Sequence, residues 1–255
     1  MISTTVIATY FSYISNDYLL MLSAVLFYIF SKRSEHAHLI ILLLFAMVYK
    51  ATLKELLKIP APVTSPTKYG FPSGHINFAV VFFGWFMVTY KLKLLYWLCP
   101  VAFVLASWST IYLGYHDIYD VVLTPIFPIY LLIIYNAYLK QMHLSNFILT
   151  FIIISLLCQV ISFFALDKMP IDVIIGSYGI LGFSIGMYTN VRNFKRIFFS
   201  LILLLMFYIL SSNLNKFMLN CIWFIAGGTL PVTSITIKQF ISKLKHCQCL
   251  PKFLT

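Results

Sequence analysis

Two histidines and one aspartate are the residues of this chain best suited to catalysis. His75 closes the string Pro72-Ser73-Gly74-His75, and His116 stands four positions before Asp120. If the segment from His116 is helical, these two residues share one helix face. The Asp120 carboxylate can then fix one imidazole nitrogen and leave the other available as a nucleophile. At the ends of apolar helices, such residues predict phosphoryl transfer at a bilayer surface.

The string that ends in His75 opens an apolar helix that runs to Trp85. Proline and serine are both favoured at helix starts. The unpaired amides and the positive end of the helix dipole also form a phosphate site, and Gly74 would let phosphate approach the backbone. Taken singly, the two segments have alternatives: a capped helix without function, and an interfacial histidine beside a solvated aspartate.

The composition is that of a membrane protein. Apolar residues make up 61% of the chain and charged residues 10%, and the mean hydropathy is +0.93. A soluble domain carries about 25% charged residues, which excludes a large water-soluble core. Repeated apolar stretches between short polar joints predict an all-α, polytopic integral membrane helical bundle of about nine transmembrane helices. The predicted spans cover residues 14–31, 38–57, 73–90, 94–113, 119–138, 147–166, 172–190, 197–213 and 217–237.

The net charge of +11 is divided unequally between the two predicted membrane faces. One face carries twelve basic residues and one acid, which marks the cytoplasmic side and favours a membrane over nucleic acid as the partner. The basic C-terminus is therefore expected in the cytoplasm and the other face in the periplasm, cell exterior or organelle lumen. That other face carries Lys50, Lys54, Lys58, Lys68, Lys168 and Lys216 with Asp17, Glu55, Asp117, Asp120, Asp167 and Asp172.

The predicted topology brings the reactive residues to this non-cytoplasmic face. Lys54 lies at the outer end of the second span, His75 at the start of the third and Ser109 near the end of the fourth. His116 and Asp120 lie in the joint that leads into the fifth span. Four consecutive helix ends are therefore expected to form one site.

The five cysteines indicate neither a disulfide framework nor a metal centre. Three lie in predicted spans, where cysteine is typically a small apolar residue. Cys247 and Cys249 lie in the basic tail, which could also be palmitoylated or bind a metal. We expect no metal and no cofactor.

The three segments together resemble the type 2 phosphatidic acid phosphatase family, which shares a superfamily with the vanadium haloperoxidases. The family pattern is Lys, six residues and Arg-Pro, then Pro-Ser-Gly-His, then Ser-Arg, five residues, His, three residues and Asp. Here the blocks cover residues 54–62, 72–75 and 109–120, with every spacing kept. The resemblance implies a membrane-embedded phosphatase-like core at residues 1–140 and a C-terminal transmembrane extension at residues 141–255.

Two residues depart from the family pattern. Ala61 stands at the arginine position of the first block, and Thr110 at that of the third. In the family these arginines clamp phosphate oxygens, because the planar guanidinium makes charge-assisted, bidentate contacts. Loss of one such contact costs about 3–4 kcal/mol at a transition state. Lys58 and Lys68 lie on the same predicted face and are candidate replacements.

The resemblance implies a metal-independent mechanism. His116 would attack phosphorus to form a phosphohistidine, and Asp120 would orient and stabilise its ring. His75 would protonate the leaving oxygen and then activate water. The groups expected to bind the phosphoryl oxygens are Lys54, Ser73, Gly74 and Ser109, with Lys58 and Lys68.

Three functions agree with these observations. The first is a lipid phosphatase that hydrolyses a lipid phosphomonoester or a prenyl diphosphate. The second is a lipid headgroup phosphotransferase, because a phosphodiester needs less charge neutralisation than a monoester. The third is a catalytically degenerate lipid-binding or transport-like protein, against which we find no paired charges deep within the predicted spans.

Overall fold

The described part of the protein is helical. The computed structural model describes residues 3–31, 35–65, 67–165 and 170–188, and within them the only β-pairing is a single bridge between Pro60 and Tyr69. The predicted all-α class is confirmed for these residues. The helices are α1 (Thr4–Tyr13), α2 (Asp17–Phe30), α3 (His36–Leu57), α4 (Gly74–Tyr90), α5 (Leu95–Tyr112), α6 (Ile118–Leu123), α7 (Ile126–Ala137), a 3₁₀ turn (Leu139–Gln141), α8 (Leu144–Ala165) and α9 (Ile171–Tyr188).

Several of these helices have the length and apolar composition of membrane-spanning helices. Among the described residues, three segments are long and apolar enough to cross a membrane: Leu95–Tyr112, Ile118–Ala137 and Leu144–Phe164. The pair α1 and α2 adds a fourth if it is one span bent by 41°. The predicted count of about nine spans is not confirmed, and the spans predicted at residues 197–213 and 217–237 lie outside the described residues.

The chain divides into two compact units. Among the described residues, the first unit contains those of 3–24 and 37–177, and the second contains 25–31, 35–36 and 178–188. In the second unit, Tyr28 packs edge-on against Phe183, with ring centroids 5.4 Å apart. The first unit contains all three sequence blocks. The boundary predicted at residue 140, between the phosphatase-like core and its extension, stays a prediction.

Helix α3 runs through the core of the first unit. Leu39, Ile40, Ile41, Leu42 and Leu43 are all fully buried, so every side of the helix is covered at this point. A helix that is apolar all round is typically an interior helix. The last turns of α3 are less apolar and carry Lys50 and Lys54. Helix α3 therefore places these two lysines at one end of the unit.

The starts of α4 and α6 and the end of α5 pack around one apolar cluster. It consists of Ile76, Ala106 and Val121, with Val80 and Phe103 packed against it. In each of the three helices, the cluster residue lies next to, or within one turn of, a residue of the second or third sequence block. Burial of the cluster therefore holds the two blocks side by side.

Gly176 provides a test of the packing between α9 and α3. A Cβ at Gly176 would lie 2.5 Å from the Leu44 carbonyl oxygen and 2.6 Å from Val48 Cγ2. Because the Leu44 oxygen is backbone and cannot rotate away, Gly176→Ala should lower the free energy of unfolding by about 1–3 kcal/mol. Thermal unfolding of the purified protein in detergent measures this. Ile171→Ala, at an exposed position of α9, is the control, and equal midpoints for the two variants would contradict the packing.

Candidate active site

His75 and His116 face each other across a short gap. His75 is the second residue of α4, and His116 lies in the joint between α5 and α6. Their ring centroids are 6.5 Å apart, with the ring planes at 68°. Reacting atoms in a near-attack arrangement are about 3–3.5 Å apart, so one phosphoryl group between the rings would be within reach of both. His75 also stacks on Tyr115 at a centroid distance of 6.1 Å.

Asp120 lies beside His116 as the spacing predicts. Its Oδ2 is 3.5 Å from His116 Nδ1, and both residues are buried. At this distance the His116 Nδ1 atom has no hydrogen-bond partner, although it is buried. Catalytic hydrogen bonds are often long without substrate and tighten in the complex. The arrangement directs Nδ1 of His116 towards Asp120 and leaves Nε2 as the second ring nitrogen.

The connection from α3 to α4 folds back on itself and covers the aspartate. The Gly70 amide donates to the Ile59 carbonyl at 3.0 Å, and the Ala61 amide donates to the Lys68 carbonyl at 3.2 Å. This places Gly70 against Asp120, where a Cβ at Gly70 would overlap Oδ2 and would lie 3.2 Å from Ala61 Cα. Ala61, at the position of the first motif arginine, is therefore separated from the Asp120 carboxylate by Gly70 alone.

Two hydrogen bonds join this connection to the third block. The Thr64 hydroxyl donates to the Gly114 carbonyl at 2.7 Å. The Ser73 amide donates to the Thr124 hydroxyl oxygen at 2.8 Å, and that hydroxyl donates to the Asp120 carbonyl. Two pairs of segments about fifty residues apart in sequence are therefore joined directly by hydrogen bonds near the histidine pair.

The start of α4 presents a buried hydroxyl that has no hydrogen-bond partner. Ser73 is the N-cap residue of α4, but its side chain makes no capping bond, and its buried Oγ has no hydrogen-bond partner. Gly74 follows as the first helical residue and is also buried. A buried hydroxyl without a partner is costly, so it is typical of a site that receives a ligand. This agrees with the predicted phosphate position at Ser73 and Gly74.

The predicted phosphate-binding lysines differ in their placement. Lys54 is partly buried and donates from Nζ to the Tyr69 carbonyl at 3.0 Å. Lys68 is exposed and, together with Lys54, lines a polar cavity of about 330 Å³. Lys58 is exposed immediately after α3. Of the three, Lys54 has the contact that best fixes its position near the histidines.

Ser109 and Thr110 are both buried in the last turns of α5. Ser109 donates its hydroxyl to the Ala106 carbonyl at 2.8 Å, and Thr110 donates to the same oxygen at 3.0 Å. Both hydroxyl protons are therefore engaged within the helix. Ser109 can offer a phosphate its proton only by giving up this bond, and its predicted contact stays a prediction.

Sequence reasoning missed a cluster of charged residues centred on Lys50. Lys50 Nζ lies 3.1 Å from Asp172 Oδ2 and 3.4 Å from Asp17 Oδ2, and Lys50 is 6% exposed. The predicted span at residues 38–57 therefore contains a paired charge, and both partner carboxylates lie near the starts of their own predicted spans, at residues 14–31 and 172–190. A signal was present, because Lys50 and Lys54 are four residues apart and so share a face of α3. The sorting of charges had placed Lys50, Asp17 and Asp172 on one predicted membrane face, but nothing in the sequence indicated that the three would pair.

Burial controls the charge of His116. Burial, and next the nearby Lys54 ammonium, lower the pKa of His116 from 6.5 to about 3, while the Gly70 backbone acts in the opposite direction. His116 is therefore neutral in the folded protein at physiological pH, which is the state that its predicted role as a nucleophile requires. Within the described residues, no three His, Cys, Asp or Glu side chains are grouped so that they could hold a metal ion.

The lowered pKa of His116 predicts a pH-dependent stability. Below pH 6.5 the unfolded chain binds a proton at His116 that the folded protein refuses, so stability is lost as the pH falls from 6.5 towards 3. The loss is at most about 1.4 kcal/mol per pH unit. Thermal unfolding between pH 6 and pH 4 should show a shallower decline for His116→Gln than for the wild type. The exposed His143 supplies the control His143→Gln, and equal slopes in all three proteins would contradict the neutral, buried ring.

Comparison with known proteins agrees with this geometry. The family model described as the PAP2 superfamily matches residues 50–144, which include all three sequence blocks. No curated protein and no solved structure matches the chain significantly. Members of the superfamily are generally phosphatases, which supports a phosphoric ester hydrolase at this coarse level. The resemblance recognised from the blocks is therefore confirmed for residues 50–144, the part of the chain that matches this superfamily and is termed the PAP2 superfamily segment.

Proposed function

We propose that this protein is an integral-membrane lipid phosphatase that hydrolyses a lipid phosphomonoester or a prenyl diphosphate. The observation that carries the proposal is the buried pair His116 and Asp120 facing His75 inside the PAP2 superfamily segment. The site lies at one end of an apolar helical unit. We propose that this end is the non-cytoplasmic one, because the charges of the predicted loops favour that orientation.

The geometry supports a two-step reaction through a phosphohistidine. Because Nδ1 of His116 faces Asp120, its Nε2 attacks phosphorus while His75 gives a proton to the leaving oxygen. A water molecule, deprotonated by His75, then attacks the phosphohistidine and releases phosphate. Asp120 orients the His116 ring and stabilises its positive charge in both steps. The reaction needs no metal ion in this scheme.

The phosphoryl oxygens are held at the start of α4. The Ser73 hydroxyl and the Gly74 amide are donors there, and the Lys54 ammonium lies on the other side, near His116. Donors that are already in place stabilise charge as it develops in the transition state. Ser109, Lys58 and Lys68 remain candidates for further contacts.

An apolar cavity supports a lipid substrate. It has a volume of about 550 Å³ and lies between α4, α5 and α7, with Ala79, Val80 and Phe83 among its lining residues. Ala79 is one helical turn along α4 from His75. A cavity of this size and character fits part of an acyl or prenyl chain. A lipid could therefore keep its tail among the helices while its phosphate reaches the histidines.

A lipid headgroup phosphotransferase is the second candidate, and the two missing arginines favour it. Ala61 lies against Gly70 beside Asp120, so an arginine there would have reached the site. Thr110 is fully buried and hydrogen-bonded within α5. With fewer fixed positive charges, the site suits a singly charged phosphodiester better than a doubly charged monoester.

The first test is phosphate release from a panel of lipid phosphates and prenyl diphosphates in detergent, without added metal. Wild type should release phosphate, and His116→Ala should lower the rate by at least about 10³-fold, because the nucleophile is lost. His143→Ala is the matched control, because it changes an exposed histidine that lies outside the three sequence blocks. Full activity of the His116→Ala protein would rule out the phosphohistidine route.

The second test restores the missing charge. Ala61→Arg should raise the rate of monoester hydrolysis by at least about tenfold if the natural site is limited by charge neutralisation. Ala61→Gln introduces a polar side chain without the charge and should not raise it. Products are analysed with a second lipid present as acceptor. Transfer to that lipid in preference to water, in the parent protein, would favour the phosphotransferase.

A further inference from the structure

Lys50 is a buried cation that the mechanism above leaves without a role. It lies in α3, is 6% exposed and is paired with carboxylates from two other helices, α2 and α9. A buried charge is costly even when it is paired, and apolar residues would usually fill such a position at least as well. In the helices of membrane proteins, ionisable residues of this kind typically mark functional sites.

The ammonium of Lys50 lies directly against the proposed phosphate position. A Cβ at Gly74 would be 3.2 Å from Lys50 Nζ, so the ammonium occupies the space that the glycine leaves open. The neighbouring Ser73 Oγ is buried without a hydrogen-bond partner. Three donors of different kinds therefore meet at the first turn of α4: a hydroxyl, a backbone amide and an ammonium. This is the composition of an anion site.

Lysine must supply the positive charge of this site. No arginine occurs between residues 34 and 191, so the PAP2 superfamily segment contains none. Lys54 donates to the Tyr69 carbonyl, and both Lys58 and Lys68 are exposed. A charge in a low-dielectric interior acts more strongly than one in water. Lys50 is also among the charges that act on both His75 and His116.

The two carboxylates explain how Lys50 keeps its place. A flexible lysine side chain lacks the rigid fork of arginine and binds an oxyanion poorly unless it is held. Asp17 and Asp172 hold the ammonium from two sides and use two of its three N–H donors. Asp17 Oδ2 would itself lie 3.5 Å from a Cβ at Gly74. It therefore also opposes an anion bound there.

We propose that Lys50 is a phosphate-binding residue of this site, positioned by Asp17 and Asp172, and that it supplies charge which the motif arginines supply elsewhere in the family. The inference rests on the proposed function, since it takes the ligand to be a phosphoryl group. The third N–H of the ammonium contacts the phosphate oxygen. Asp17 limits the affinity, which favours release of the phosphate product.

Inorganic phosphate binding to the purified full-length protein in detergent tests this role without requiring turnover. Calorimetric titration gives the Kd, and stabilisation against heat by phosphate gives a second measurement. Lys50→Arg should bind within about threefold of wild type. Lys50→Met should bind at least about tenfold more weakly, as expected for the loss of a charged hydrogen bond. Lys93→Met, at an exposed lysine, should bind as wild type does.

A neutral triple variant separates binding from folding. Lys50→Met alone leaves two partly buried carboxylates unpaired and can simply destabilise the protein. Lys50→Met combined with Asp17→Asn and Asp172→Asn removes that imbalance and should restore the unfolding midpoint, while phosphate binding stays at least about tenfold weak. Wild-type phosphate affinity in the triple variant would overturn the inference, because Lys50 would then be only a structural partner. Asp17→Asn alone should tighten phosphate binding, and weaker binding would contradict its opposing charge.

The outcomes for Lys50 and for the proposed function are distinct. Lys50-dependent phosphate binding without release of phosphate from any lipid would overturn the phosphatase and leave the Lys50 assignment intact. Lipid hydrolysis with an unchanged KM and phosphate affinity in the neutral triple variant would overturn the Lys50 assignment alone. If wild type binds no phosphate while His116→Ala abolishes hydrolysis, the assignment of Lys50 fails and the mechanism stands.

Discussion

The active site depends on one buried chain of hydrogen bonds, from the Ser73 amide through the Thr124 hydroxyl to the Asp120 carbonyl. It connects the start of α4 to α6, and with them the residues that carry the two histidines. A buried backbone group that loses its partner costs about 1–3 kcal/mol, so the two segments cannot separate cheaply. Together with the apolar cluster of Ile76, Ala106 and Val121, this hydrogen-bond chain helps to fix the separation of the two histidine rings. Thr124 lies outside all three sequence blocks, yet it joins the second to the third.

Burial has two opposite consequences for the groups held in this way. It keeps His116 neutral and therefore nucleophilic, because a desolvated imidazolium is unfavourable. It also makes every fixed charge at the site more effective and more expensive. Lys50 shows both effects, since it is retained in the interior only with two carboxylates around it. The site therefore combines a neutral histidine with a small, tightly compensated set of charges.

Two cavities of different character relate the site to the membrane. The apolar cavity between α4, α5 and α7 leads away from His75 along α4, whereas the polar cavity is lined by Lys50, Lys54 and Lys68. An amphipathic substrate fits such a division better than a soluble phosphate ester does. Because residues 34–191 contain no arginine, a phosphate headgroup in the proposed site would meet lysines, backbone amides and hydroxyls instead. The carboxylates near Lys50 would oppose an anion there and so affect the preference among headgroups.

Local sequence predicted the helical class and the membrane character, and it marked His75, His116 and Asp120 as candidate site residues. These depend on composition, on apolar run length and on spacings within one or two turns, all of which are visible along the chain. The superfamily was recognisable for the same reason. The span count was not, because apolar length alone does not separate a spanning helix from a short or interior one, as α3 and α4 illustrate.

Only the tertiary structure decided which charges meet. Asp17, Lys50 and Asp172 belong to α2, α3 and α9, and no spacing rule connects residues so far apart in sequence. The same holds for Gly70 against Asp120, where an ordinary loop glycine leaves room for the Asp120 carboxylate. The sequence by itself determined which candidate site groups are present, because their chemistry and local spacing are properties of each segment alone. Their environment was decided by helix packing, because burial and long-range pairing exist only once the helices are assembled.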